Sequence, residues 1–396
     1  MPDELNDNPD PEAPTPAAKG QFPELKHGVK SSNMDTSPIE PGNIEVLQIL
    51  DEHGQLDKSL DPPLDDELLV KIHRGLVLTR AFDHRMLTMQ RQGEMGTFAP
   101  NLGQEACQLG QVIPLSRKDW YSPSYRSFGA QIWRGWSMER LLLLWAGYHE
   151  GFPPPAGVND LPFSIVVGSH VLPAVGVAMG MNYKSDASCM VVNFGDGALS
   201  QGAVSEALNI AAVDAAPVVF VCENNGWAIS TPLNKQAATE NLAVRGLGFG
   251  MPSIRVDGND ILAMTVAVDE AAQRARVGGG PTFIEAVTYR MSLHTTADDP
   301  TVYREEELVD PWEERCPIRR FETYMKYKGL LTGERIQQIH AECEQEVIEA
   351  RDLFRSTAAS HPREIFDHLY EQLPEELEAQ RDAYLRRLDE RGGSDG

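Results

Sequence analysis

The sequence contains no uninterrupted apolar run of the roughly 18 residues that a membrane-spanning helix needs, and its opening residues show no basic-then-apolar secretory signal. Cysteine is scarce. Cys107, Cys189, Cys222, Cys316 and Cys343 form no C-x-x-C pair and no regular spacing, so no disulfide framework is expected. Cys189 and Cys222 lie in apolar runs and read as free buried thiols in a reducing, cytoplasmic compartment. Positive charge is also short. Lys and Arg number 35 against 59 Asp and Glu, and the net charge of −24 repels nucleic acid and anionic membranes, so neither is expected as a partner. There is no internal repeat. What remains is an ordinary globular composition, 41% hydrophobic and 24% charged, and 396 residues suffice for one large α/β domain or two smaller ones.

Residues 1–43 are rich in Pro, Asp, Glu, Asn and Ser and poor in large apolar groups. Such a segment buries too little surface to offset its ordering entropy, so a disordered or extended arm is expected. Residues 44–310 then alternate between strand and helix signals. A short strand and turn cover IEVLQILDEHGQLD. A helix is predicted over 65–92, with Leu68, Leu69, Ile72, Leu76, Phe82 and Met86 on its apolar face and Gly93 as its stop. The stretch from Asp119 to Gly151 reads as two helices broken near Gly135. SIVV (164–167) reads as a buried strand, and a small-residue helix follows whose Gly176, Ala178 and Gly180 call for close packing. Repeated β–α–β units beyond this point predict a doubly wound, mostly parallel sheet flanked by helices. Residues 311–396 are helical and strongly charged, and are expected to pack as solvated helices on the outside of the same domain.

The chemistry concentrates between Met190 and Pro232. Here two apolar strands each end in a polar turn, Gly195-Asp196-Gly197 in the first and Asn224-Asn225 in the second. An isolated GDG is most simply a tight turn with Asp196 capping a helix. A dinucleotide fold is a second reading, with Glu223 where a ribose-binding acid would stand. Against it, Ser200 replaces the third glycine, and Asp196 would aim its charge at a bare pyrophosphate. A metal removes that objection. Mg²⁺ takes about six oxygen ligands and commonly bridges a carboxylate to substrate phosphates. Asp196, the Asn225 amide oxygen and the Trp227 carbonyl can supply three, with the N–H groups of Gly197 and Ala198 opening a helix toward the anion.

GDG followed at this interval by NN resembles the thiamine diphosphate motif. The wider chain is similar to the alpha chain of the thiamine-dependent first component of 2-oxo acid dehydrogenase complexes. The blocks that carry the resemblance are GTFAPNLGQEA (96–106), SYR (124–126), IVVG (165–168), GDGALSQG (195–202), ENNGWAISTP (223–232), RVDGND (255–260) and HTTADDPTVYR (294–304). They look most like bacterial pyruvate dehydrogenase alpha chains, with branched-chain 2-oxo acid (3-methyl-2-oxobutanoate) dehydrogenases next and acetoin dehydrogenase further off.

The resemblance implies that Asp196, Asn225 and the Trp227 carbonyl hold Mg²⁺, and that Tyr125 and Arg126 contact the diphosphate of thiamine diphosphate. It places the main chain around Ile165 and Val167 at the aminopyrimidine and His294, the expected catalytic group, over the cofactor on a loop. It further implies decarboxylation of a 2-oxo acid, with pyruvate the expected substrate, and transfer of the acyl fragment to a lipoyl-bearing acyltransferase core. The carboxylate that must act on the aminopyrimidine has no candidate here, since Glu105 and Glu206 read as helix residues. In the family a beta chain supplies it, so an α2β2 heterotetramer is expected. His149 and His170 read as structural. Trp227 stands where Tyr or Phe is common, and Thr295 where mitochondrial relatives carry a regulated Ser, so kinase control is not implied.

Overall fold

The computed structural model describes residues 44, 46–357, 362–367 and 369–390. The arm expected over 1–43 lies outside the described residues. Six strands form one sheet: β1 (Val46–Leu47), β2 (Trp120–Ser122), β3 (Met190–Gly195), β4 (Val218–Asn224), β5 (Ser253–Asp257) and β6 (Thr282–Val287). Their spatial order is β1-β5-β6-β4-β3-β2, and every pairing is parallel. The strands β3 and β4 are buried along nearly their whole length, as expected where helices cover both faces.

One face carries α1 (Asp66–Arg91), α2 (Glu105–Gly110), α3 (Phe128–Trp133), α4 (Met138–Ala146) and, later in the chain, α7 (Ile261–Arg276). The other carries α5 (Val171–Lys184) and α6 (Gly202–Val213). The α1 helix runs where its periodicity predicts. Asp65 caps it by accepting from the Leu68 N–H, a contact typically worth about 1 kcal/mol, and Gly93 follows it at φ +76°. Asp260 does two tasks. Its Oδ1 caps α7 through Leu262 N and Ala263 N, and its Oδ2 accepts from Ile49 N and Leu50 N, which ties the β1 edge to the domain.

Four local expectations change. The stretch after Asp119 is not wholly helical: Trp120–Ser122 forms the sheet edge β2 before α3 begins. The SIVV stretch is not a buried strand. Beyond a single bridge at Ser164 it is a bend, with Ile165 61% and Val166 69% exposed. On α5, Ala178 is buried, but a Cβ at Gly176 or Gly180 would meet nothing within 4 Å, so those glycines face outward in the isolated chain. Finally, the C-terminal helices are not all peripheral. Helices α8 (Pro317–Tyr327) and α9 (Gly333–Thr357) bury Ile318, Phe321, Met325, Ile339 and Val347 in the main core. Arg320 is fully buried and donates to Asp257 Oδ2 at 3.1 Å and to the carbonyls of Asp51 and Leu50. Helix α10 (Glu375–Glu390) has the expected solvated character, with no buried residue.

Candidate active site

In parallel sheets ligands gather beyond the carboxyl ends of the strands. Here four adjacent strands, β6, β4, β3 and β2, deliver the expected residues from that end. Gly195 pairs with Glu223, so Asp196 leaves β3 level with Asn224, and Asn225 follows one residue on. Asp196 is 2% exposed, and its Oδ1 accepts from the Asn225 N–H at 3.3 Å while Oδ2 accepts from Gln236 Nε2 at 2.8 Å. Burial pushes its carboxyl above the usual range, against those hydrogen bonds and the pull of Arg290. A buried carboxylate in that condition is stabilised by a cation.

The two asparagines part company. Asn224 donates to Glu285 Oε1 at 2.8 Å and is committed to the sheet. Asn225 donates to Gln104 Oε1 at 3.1 Å and accepts from Trp227 N at 3.2 Å, beside Asp196. Buried polar atoms without partners lie close by, Gln104 Nε2 and Gln236 Oε1. Gly197 is required as glycine, because a Cβ there would come within 2.8 Å of Ala228 Cβ. Gly197 and Ala198 do not open the helix as expected. They belong to a 3₁₀ turn, Asp196–Ser200, and α6 starts only at Gly202. The reason is local: Gln201 takes an extended conformation that separates the two segments. Trp227 begins a two-stranded hairpin with Thr231–Pro232, and its ring packs on Tyr303 at 5.4 Å. At the hairpin bend Ile229 has φ +56°, a strained conformation for a β-branched residue. Its carbonyl is held by Arg290 Nη2 at 2.8 Å.

Opposite stands a basic wall. Arg126, 5% exposed, donates to Pro100 O and through Nη2 to His294 O at 3.1 Å, with His294 Nδ1 at 3.2 Å. Tyr125 meets the His294 ring edge-on at 6.3 Å. Arg290, fully buried, leaves β6 with its N–H on Asn225 O at 3.1 Å, and its guanidinium reaches Tyr303 Oη at 2.6 Å. Arg304 in turn donates to the carbonyls of Arg290 and Met291. The ion pairs among the described residues include neither Arg126 nor Arg290. Burial, then the Arg126 and Arg304 charges, holds Arg290 down to about 10 despite the favourable Tyr303. Burial, Arg126 and Arg290 hold His294 down to about 4, so its imidazole is neutral at pH 7. Two buried guanidinium groups without a carboxylate partner call for an anion. The acidic turn and the basic wall together fit a metal–diphosphate pair.

Tyr125, Arg126, Asp196, Asn225, Trp227 and His294 thus meet around one place. Val167 and Ala198 line a narrow cleft with Ser124, Tyr125, Arg126 and Glu223. Ile165 is not among its lining residues. Sequence reasoning missed Arg290, Arg304, Tyr303 and Gln236. Only the proximity of YR to His294 in the chain could have pointed to Arg290. Glu223, the alternative ribose acid, is 3% exposed and accepts from Asn193 and Gln111, and burial pushes it up to about 7. That commitment weakens the dinucleotide reading. His170, expected to be structural, places Nε2 2.7 Å from Asn193 O and also lines this cleft. Glu105 is fully buried against Arg80, and Glu206 is exposed, so neither reaches the site. A cavity of about 500 Å³ lies elsewhere, between α1, α3 and α9, and its wall is mostly apolar.

Comparison with known proteins places the chain in a family. Residues 73–363 match the family described as "Dehydrogenase E1 component". The chain is 41% identical over 346 residues to an Acholeplasma laidlawii protein named pyruvate dehydrogenase E1 component subunit alpha, covering 86% of this chain and 99% of that one. It is 40% identical over 352 residues to the 3-methyl-2-oxobutanoate dehydrogenase subunit alpha of Mycobacterium tuberculosis, covering 88% and 96%. A Staphylococcus aureus pyruvate dehydrogenase E1 component subunit alpha is 38% identical over 346 residues, covering 86% and 92%. The chain belongs to the dehydrogenase E1 component family, as an alpha subunit of the 2-oxo acid dehydrogenases.

Proposed function

We propose that this chain provides the Mg²⁺- and diphosphate-binding half of a 2-oxo acid dehydrogenase site, acting on pyruvate and passing the acyl group to a lipoyl group. The family is thiamine diphosphate-dependent, and its alpha chains generally work in α/β heterotetramers. Bound thiamine diphosphate supplies the nucleophilic carbon and the electron sink that decarboxylation requires. The chain's own residues supply binding and placement. Asp196, Asn225 and the Trp227 carbonyl would hold Mg²⁺, while Arg126, Tyr125 and Arg290 would take the diphosphate oxygens as charge-assisted donors. His294, neutral at pH 7, offers one nitrogen as acceptor or donor beside them. The observation that carries the reading is the facing of a buried, cation-seeking Asp196 and two buried arginines without carboxylate partners.

Among the described residues, Glu223 lines the cleft but is committed to Asn193 and Gln111, which supports completion by a beta chain in an α2β2 assembly. Exposed apolar groups at Ile165, Val166, Tyr183 and Val213 offer surface for it. In this reading the 44–310 region is the cofactor domain and 311–396 packs upon it. The test is to co-express the chain with its beta partner and assay pyruvate, 3-methyl-2-oxobutanoate and acetoin. Turnover should require both chains and be fastest on pyruvate, and the assembly should be stabilised by Mg²⁺ with thiamine diphosphate but not by NAD. Robust decarboxylation by the alpha chain alone would sink the half-site reading. The relative named for 3-methyl-2-oxobutanoate keeps the branched-chain substrate as the second reading.

A further inference from the structure

Far along the chain from the cofactor residues, three helices bring together a different set of ligand groups. His73 is on α1, Glu322 on α8 and His340 on α9. Glu322 Oε1 lies 3.1 Å from His73 Nε2 and 2.8 Å from His340 Nε2. The ligand atoms of the three side chains all lie within 4.8 Å of one another, and no other such grouping of three His, Cys, Asp or Glu occurs among the described residues. The burial is graded, which is unusual for a surface cluster. His73 is fully buried, the Glu322 side chain is 17% exposed, and the His340 side chain is 46% exposed.

We propose that His73, Glu322 and His340 form a second metal site, for a borderline transition ion such as Zn²⁺ rather than for Mg²⁺. Two imidazole nitrogens and one carboxylate oxygen are the donor set of three-ligand zinc sites, whereas Mg²⁺ prefers oxygen alone. Tetrahedral bonds of about 2.0–2.1 Å place donors somewhat over 3 Å apart, so the two Glu322–imidazole separations need widen by only a few tenths of an ångström, while the two imidazole nitrogens, within 4.8 Å of each other, are drawn together by the ion. The solvent side, where His340 is exposed, leaves the fourth position to water. Burial opposes the charge on Glu322, and the two imidazoles more than compensate, so its carboxyl is held below the usual range and stays available as an anionic ligand. In the metal-free form Glu322 accepts from both rings. Binding displaces an N–H proton at each nitrogen facing the metal, transfers it to the ring's other nitrogen or to solvent, and involves no redox step. Because each ligand comes from a different helix, the ion would clamp α8 and α9, which follow the cofactor loops, onto α1.

The test uses full-length, tag-free chain freed of metal and then saturated with Mg²⁺ and thiamine diphosphate, so that the Asp196 site is occupied. Titration with Co²⁺ should give visible d–d absorption saturating at one equivalent per chain, and Zn²⁺ should bleach it. Zn²⁺ should also raise the thermal midpoint of the native chain. His340→Ala alters an exposed side chain and should fold normally, yet lose both the absorption and the Zn²⁺-dependent shift. Glu322→Gln should do the same, and neither variant should change Mg²⁺–thiamine diphosphate binding. Absence of stoichiometric Co²⁺ or Zn²⁺ binding in the native chain would overturn the proposal. So would binding that survives in either variant.

Discussion

The two walls of the candidate site are built in opposite ways. The acidic wall is local: Asp196, Asn225, Trp227 and Gln236 come from one β–turn–helix–β unit, and its main strand register is fixed by β3 and β4. The basic wall is gathered from distant segments, with Tyr125 and Arg126 after β2 and Arg290, His294, Tyr303 and Arg304 after β6. The first wall is rigid because strands buried on both faces end there. The second is held by side chains that hydrogen-bond to backbone carbonyls of loops. One wall supplies an uncompensated acid and the other uncompensated bases, and only a ligand that carries both signs satisfies both.

The comparison is broken most severely by Asp196→Ala. In the assembled enzyme it should lower cofactor affinity by more than about a hundredfold, beyond what loss of an outer-shell partner typically costs, as read by calorimetry at fixed Mg²⁺. Arg290→Ala should come next, with a loss of about ten- to a hundredfold, the scale of one or two charge-assisted hydrogen bonds. Arg290→Lys should recover part of it, because the charge is restored but the fork to Ile229 O and Tyr303 is not. An unchanged affinity in Arg290→Ala would mean that the basic wall does not face the diphosphate.

His294 sharpens the comparison through pH. Its folded value of about 4 lies below its ordinary 6.5. Above about 6.5 the ring is neutral in both states and contributes nothing. As pH falls from about 6.5 toward 4 the unfolded chain takes up the proton first, so the apo protein loses stability across that window. His294→Gln should flatten this part of the stability profile. Inorganic diphosphate with Mg²⁺ should raise the His294 titration seen by NMR, because it neutralises Arg126 and Arg290. Tyr303→Phe should be the mildest change, removing the hydroxyl that Arg290 and Asp298 share at a cost of about 1 kcal/mol of stability.

This contrast also explains what could be read in the sequence. Asp196 and Asn225 were legible because two polar turns, each after an apolar strand, leave a fixed local spacing. Arg290 and Arg304 were not, because their task depends on which strand ends the sheet places side by side, and β6 lies next to β4 only through a skipped β5. The parallel α/β fold followed from periodicity, but the two-residue and three-residue edge strands β1 and β2 offer little pattern to detect. SIVV misled for a physical reason. Its apolar character suits a buried strand, yet in the single chain it is exposed. The burial of α8 escaped notice because its charged residues include Arg320, whose guanidinium is wholly satisfied inside the domain.

The most direct measurement is the Mg²⁺ dependence of thiamine diphosphate binding to the α2β2 assembly, compared between the native chain and Asp196→Asn. If the walls divide the work as described, native binding tightens steeply with Mg²⁺, while the variant keeps only a weak, Mg²⁺-independent affinity supplied by Arg126 and Arg290. A variant that retains the native Mg²⁺ dependence would contradict the assignment of the metal to the Asp196 turn.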